Sequence, residues 1–368
     1  MKIALVQDWF VVNGGAEKVV KEIVTIYPEI EIFSLVDFLS EPDRNYILNG
    51  KKSTTSFIQN LPFARTHYRT YLPFFPRAIE SLDFSGFDVI ISSSYAVAKG
   101  IRKTKDQIHI CYCHSPVRYA WDLEKEYLSR LSWLSKLISK QILKYIRKWD
   151  LSTTERVDLF IANSNNVSER IKRIYNRDSI VIYPPVDTIS FSPETQKSDY
   201  YFTSLRVVPY KKLDLIIETF NLLPNRKLIV AGEGPELQKI KKTAKSNIEF
   251  IGFVSKKELI SLMQKAKAFV LAAEEDFGIT SVEAQSCCTP VIAFKKGGYL
   301  ETVVDGKTGL FFQEQTTESL SEAILRLDSV RNNFTKSDFI ANADRFSIEK
   351  FRIKFKNCVN EYLAGKSK

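Results

Sequence analysis

The sequence predicts an α/β protein of two consecutive domains, each a parallel sheet wound with helices, the pair facing a central cleft. Three observations carry this. Short apolar, β-rich runs alternate with amphipathic helical runs along the chain. The alternation breaks once, at Pro184-Pro185, a dipeptide that blocks both helix and ladder, and then restarts. The length of 368 residues also exceeds what one hydrophobic core usually serves. Ligands of such sheets bind at the carboxyl ends of the strands.

In the first half a buried-strand pattern covers residues 3–6, a Gly14-Gly15 turn follows, and a helical run covers 16–26. Further strands are predicted at 31–35, 88–92, 108–113, 157–162 and 180–183, and the linker at 183–193. In the second half strands are predicted at 201–205, 227–230, 248–251, 268–271, 291–293 and 310–312. A last helix at 348–363 comes after the second sheet should be complete, so it is expected to cross back to the first domain. The expected boundaries are 1–185, 186–345 and a returning helix in 346–368.

An apolar fraction of 44% and a charged fraction of 26% are those of a globular protein. No run of about 18 apolar residues occurs, and the first residues fall far short of a signal-peptide core. The five cysteines, Cys111, Cys113, Cys287, Cys288 and Cys358, form no CxxC pair and have no histidine at zinc-site spacing. The expectation is a reduced, cytoplasmic, metal-free protein in which Cys111 and Cys113 are core packing. The net charge of +10 fits nucleic acid, an anionic membrane face, phosphorylated substrates, or simply a solvated lysine-rich surface.

Generic nucleotide motifs are absent. There is no GxxxxGK[ST], and the turn Gly232-Glu233-Gly234-Pro235 has Leu237 where a dinucleotide fingerprint needs Gly or Ala. No Asp-x-Asp occurs, so the paired-carboxylate metal site common for nucleotide sugars is missing too. Three other places seek anions. Gly14 and Gly15 sit between the first strand and first helix, where bare backbone lets a phosphate approach the positive helix end. Arg206 and Lys211 follow a strand, one able to grip two oxygens and the other a point charge, as suits a diphosphate. Finally, Glu274-Glu275-Asp276 precedes a Phe277-Gly278 turn and a helix start at Ile279. Carboxylates beside a phosphate site would repel it unless they accept hydrogen bonds from sugar hydroxyls, which points to a glycosyl nucleotide. Taken singly, the glycines also read as a tight turn and the cations as a solvated loop.

Glu275 and Glu283 match the E-x7-E motif of glycosyltransferase family 4, and the resemblance covers nearly the whole chain. Arg206 and Lys211, the Gly232–Pro235 turn, Gly252-Phe253-Val254, Gly297-Gly298 and Asp305-Gly306-Lys307-Thr308-Gly309 fall in the family's order. So does Gly14-Gly15-Ala16-Glu17. The run from Cys113 through His114, Arg118, Tyr119 and Trp121 to Asp122 is most similar to the mannosyltransferases of bacterial O-antigen and exopolysaccharide synthesis. The resemblance implies a GT-B fold of two Rossmann-like domains, no metal or other cofactor, and retention of anomeric configuration. By the same resemblance Arg206, Lys211 and the Gly14, Gly15 and Gly278 backbone bind the diphosphate. Glu283 accepts from the ribose, Glu275 from the transferred sugar with Asp276, Phe277 and Ile279 beside it, and Phe253 and Val254 cover the base. His114 lies at the reacting centre, and Arg118, Tyr119 and Trp121 are acceptor-side. The implied partners are GDP-mannose as donor and a glycan or lipid-linked acceptor, with no nucleic acid. Lys212 departs from the family's Gly after the Lys, and Ser281 stands where close relatives often have Pro.

Beside the resemblance, residues 118–148 combine charge and apolarity. Leu123, Tyr127, Leu131, Leu134, Leu137, Ile138, Ile142, Tyr145 and Ile146 recur at helical spacing, with Trp133 and with Arg130, Lys136, Lys140, Lys144, Arg147 and Lys148 interspersed. Residues 63–77 add Arg65, Arg69, Arg77 and several aromatics. Core-facing helices and peripheral contact with the inner face of an anionic plasma membrane both fit. Two rival functions stand beside the transferase: a sugar-nucleotide epimerase or hydrolase of the same fold, and a non-catalytic polyanion-binding protein.

Overall fold

The computed structural model describes residues 1–129 and 132–366, so Arg130 and Leu131 of the basic run lie outside it. It divides into two compact units, Met1–Pro185 with Phe351 onward, and Val186–Lys350.

The first unit holds a seven-stranded parallel sheet: β1 Ile3–Gln7, β2 Glu31–Ser34, β3 Thr54–Thr55, β4 Val89–Ser94, β5 Ile108–Cys113, β6 Leu159–Ala162 and β7 Ser179–Val181, in the order β3-β2-β1-β4-β5-β6-β7. Side chains alternate across it. Leu5, Ile110 and Tyr112 enter one core with Val19, Val20, Ile23 and Val24 of the helix Gly15–Ile26, whereas Ala4, Val6 and Cys111, Cys113 enter cores on the other face. Burial on both faces is why these strands read as continuous apolar runs. Phe351, Phe355, Cys358 and Val359 of the last helix, Ile348–Lys366, belong to the first of these cores, and Arg352 ties that helix to Glu22. Strand β3 escaped the sequence because two threonines carry no period. The predicted start at 157 was early because residues 154–156 form a 3-10 turn before β6.

The second unit holds a six-stranded parallel sheet: β8 Tyr201–Ser204, β9 Leu228–Ala231, β10 Ile248–Gly252, β11 Ala268–Leu271, β12 Val291–Phe294 and β13 Gly309–Phe312, in the order β10-β9-β8-β11-β12-β13. Leu228 and Val230 pack against the helices Leu213–Leu222 and Thr317–Val330, while Ile229 and Ala231 face the core shared with Ala284 and Met263. Both sheets therefore have the doubly wound order in which strand direction of travel reverses beside the first strand. Among the described residues no helix is long and apolar enough to cross a membrane.

Candidate active site

In the second unit the order reverses between β8 and β11, the point at which such sheets leave a crevice at their carboxyl ends. Arg206 leaves β8 there, Lys211 ends the 3-10 turn Pro209–Lys211, and Glu274, Glu275 and Asp276 follow β11. The Lys211 ammonium donates to the Glu275 carboxylate, and Lys296, just past β12, pairs with Glu274 at 3.0 Å. The acidic loop is thus partly neutralised by its own lysines, which removes much of its repulsion toward a neighbouring diphosphate. The Arg206 side chain is exposed and has no ion pair among the described residues.

Close backbone contacts hold these loops. A Cβ on Gly232 would stand 1.9 Å from the Leu205 carbonyl oxygen, so the turn after β9 lies directly on the strand end that carries Arg206. A Cβ on Gly298 would stand 2.3 Å from the Phe277 Cα, and the Gly298 amide donates to the Glu275 carbonyl at 2.8 Å. The Phe277 ring turns inward and meets Phe346 edge-on at 5.4 Å, so its side chain is a packing group and only its backbone belongs to the loop. From Gly278 the helix Ile279–Ser286 starts, with Ile279 half-buried and Glu283 only 3% exposed. Phe253 is 80% exposed just beyond β10, whose last residue Gly252 accepts at its carbonyl from the Gly232 amide, while Val254 is half-buried against the core.

In the first unit the same reversal lies between β1 and β4, and Asp8 fills it. Its buried carboxylate accepts from the amides of Tyr95, Ala96, Val97 and Ala98 at 2.6–3.0 Å, clamping the loop after β4. His114, at the end of β5, is held by Ser93 Oγ 2.8 Å from its Nε2, and its carbonyl accepts from Asn163. Desolvation pulls its pKa down to about 3, so the ring is neutral at physiological pH. The segment behind it is braced. Trp121 Nε1 donates to Asp150 at 2.8 Å, Arg147 donates to the Ala120 carbonyl, and Asp122 pairs with Arg170 and Arg173. Arg118 and Tyr119 are half-buried on the same turn.

Three comparisons bear on this arrangement. Residues 186–345 match the family model "Glycosyl transferases group 1", and residues 14–189 match "Glycosyltransferase Family 4". An uncharacterized glycosyltransferase of Methanocaldococcus jannaschii is 30% identical over 281 residues, which are 72% of this chain and 77% of that protein. The chain belongs to glycosyltransferase family 4. Solved structures agree on the fold. Sucrose-phosphate synthase of Thermosynechococcus elongatus superimposes with a TM-score of 0.75 at 15% identity, over 99% of this chain and all of that one. HepE of Anabaena, solved in complex with UDP, superimposes with 0.72 at 17%, over 98% of this chain and 100% of that one. Both sheets of this glycosyltransferase are those of the GT-B fold.

The structure brings Arg206, Lys211, Glu275, Asp276 and Gly278 to one switch point, with Glu283 one helix onward and Phe253 two strands away. Gly14, Gly15, His114, Arg118, Tyr119 and Trp121 belong to the other unit. One expectation is corrected. The Gly14 amide is not open to a phosphate, because Glu17 at the third helical position reaches back and accepts from it at 3.0 Å. Both family departures have a local account. Lys212 has φ +56°, a left-handed conformation that a glycine adopts without cost, so the usual Gly there answers a backbone need. Ser281 Oγ lies 2.7 Å from the Gly278 carbonyl oxygen and 2.8 Å from Thr302 Oγ1, tying down the helix start by hydrogen bonds.

Burial raises the Glu17 carboxyl from 4.5 to about 7. A carboxyl raised on folding contributes stability that is full below its unfolded value and is lost as pH rises through its folded value. Wild type minus Glu17→Gln, compared by Tm across pH 4.5 to 8, should therefore decline with rising pH. The difference cancels the opposing slope from His109, which burial lowers from 6.5 to about 4. A flat difference curve would mean that Glu17 titrates alike in both states.

Proposed function

We propose that this glycosyltransferase transfers mannose from GDP-mannose, with retention of configuration and without a metal, to a lipid-linked or oligosaccharide acceptor of surface polysaccharide synthesis. The carrying observation is the convergence of Arg206, Lys211 and Glu275 at the switch point of the second unit: two cations suited to a diphosphate beside a carboxylate suited to sugar hydroxyls. The mannosyl and guanine assignments are supported by the resemblance of the run Cys113–Asp122 and of Glu275–Gly278. In this reading the second unit holds the donor, the first holds the acceptor, and the acceptor is met at the inner face of the plasma membrane.

No carboxylate is assigned as a covalent nucleophile. The acceptor hydroxyl attacks the anomeric carbon on the face the diphosphate leaves, and the departing diphosphate takes the proton. Catalysis then rests on positioning and on stabilising the leaving charge by Arg206, Lys211 and the amides at the start of the helix Ile279–Ser286. Neutral His114 serves as a hydrogen-bonding group toward the sugar and not as an acid.

A thermal-shift panel of GDP-, UDP-, dTDP- and ADP-sugars tests the donor, since a ligand at 100 times its Kd stabilises by about 2.7 kcal/mol. GDP-mannose should give the largest shift. UDP-glucose giving it instead would favour the second reading, a UDP-sugar transferase, for which the UDP-bound HepE neighbour is the argument. Turnover should survive EDTA; activity restored only by Mg²⁺ or Mn²⁺ would end the metal-free reading. Product formed without any acceptor would point to the hydrolase or epimerase.

A further inference from the structure

The helix Trp133–Ser152 buries only its second half. Leu143, Ile146 and Asp150 point into the unit, yet Trp133 is 74%, Leu134 54%, Leu137 52% and Ile138 56% exposed. At about 100° per residue these four apolar side chains centre about 180° from the buried ones, so they are not a frayed continuation of the core stripe. Beside them Lys136, Lys140, Lys144 and Lys148 recur every fourth position as a ridge, none with an ion pair among the described residues, and no acid occurs from Trp133 to Trp149. Leu72 packs on the cluster containing Leu143 and Ile146, which brings the turn Tyr68–Phe74, ending in exposed Phe74, alongside the helix.

We infer that the first half of this helix is an interfacial anchor that lays Trp133, Leu134, Leu137 and Ile138 into the headgroup layer of an anionic bilayer, with the lysine ridge on the lipid phosphates. Charge decides the occupant. A second copy of this chain would set one lysine ridge against another, whereas an anionic lipid surface neutralises it. The inference deepens the lipid-linked acceptor reading and takes its biological sense from it, since an anchor of this kind holds a transferase where such an acceptor lies.

The test uses the full chain and vesicles of phosphatidylcholine with or without phosphatidylglycerol. Trp133 is the one strongly exposed tryptophan, Trp9 and Trp149 being buried and Trp121 half-buried, so it reports insertion directly. Anionic vesicles should sediment the protein and shift its fluorescence to the blue, more weakly at high salt, and Trp133→Phe should abolish the shift. The pair Leu137→Glu with Ile138→Glu, and the triple Lys136→Gln, Lys140→Gln, Lys144→Gln, should each lower partitioning by about tenfold or more. Leu137, Ile138, Lys140 and Lys144 are exposed and Lys136 is half-buried without an ion pair among the described residues, so circular dichroism and sugar transfer to a water-soluble acceptor should stay as in wild type. Undiminished partitioning of both variants, absence of the blue shift, or a concentration-dependent dimer that the Leu137→Glu, Ile138→Glu pair dissolves would each overturn the inference. Transfer without vesicle binding would sink the anchor and leave the transferase; vesicle binding without transfer would do the reverse.

Discussion

Glu275→Ala is expected to lower kcat by about 10² or more while GDP binds nearly as in wild type, because in the proposed reading the hydrogen bonds it removes orient the sugar and not the nucleotide. The ion pair with Lys211 sharpens this. Removing the carboxylate releases the ammonium from a competing partner, so affinity for the diphosphate should be kept or gained. Glu283→Ala should instead weaken GDP and GDP-sugar together, by about 1.5–3 kcal/mol if a charge-assisted hydrogen bond to the ribose is lost. Glu283 is almost fully buried, so the competing account is a purely structural acid, under which the mutant loses Tm without ligand and binds GDP normally. Calorimetric titration of GDP into both folded variants separates these outcomes, and loss of GDP affinity in Glu275→Ala with retention in Glu283→Ala would reverse the roles.

Asp150→Ala should destabilise the first unit by roughly 3–5 kcal/mol, the usual result of stranding one member of a buried pair. Lys99 Nζ lies 2.9 Å from Asp150 Oδ1, with the side chains 2% and 0% exposed, and the other oxygen accepts from Trp121 Nε1 and from the Tyr175 hydroxyl at 2.9 Å. Without the carboxylate, an uncompensated ammonium and two orphaned donors remain in the core. The double variant Lys99→Met, Asp150→Leu should recover most of the lost Tm, because the charge and its partner leave together. It should not restore the orientation of Trp121. If Trp121 serves the acceptor side, the double variant will show a raised acceptor KM at near-normal Tm. Full recovery of both would make the network structural only.

Much of the candidate site was legible because its residues sit where strands end. Arg206, Glu275 and Gly278 each follow an apolar β run, and order along the chain is enough to align them with a family. What could not be read was pairing between loops remote in sequence. The Lys211–Glu275 and Lys296–Glu274 contacts join segments that only the β8-β11-β12 order makes neighbours. Asp8 carried a weak signal, an acid ending a buried strand, but its four amide partners lie nearly ninety positions away. In the sequence Glu17 stands out only as the last residue of the Gly14-Gly15-Ala16-Glu17 run. Its capture of the Gly14 amide is a side-chain geometry that spacing does not reveal.

The sequence by itself determined the α/β class, most of the strands, the break at Pro184-Pro185 and the family, because hydrophobic period and turn chemistry are local and motif order is linear. Tertiary structure alone decided what each amphipathic or charged stretch faces. Residues 133–150 show helical spacing whichever side is buried, and only the packed unit shows the first half turned outward and the second half inward. Phe277, expected beside the donor, turns its ring to Phe346 for the same reason. Direction around a helix or out of a loop is set by contacts with distant elements, and a period records the repeat without its phase.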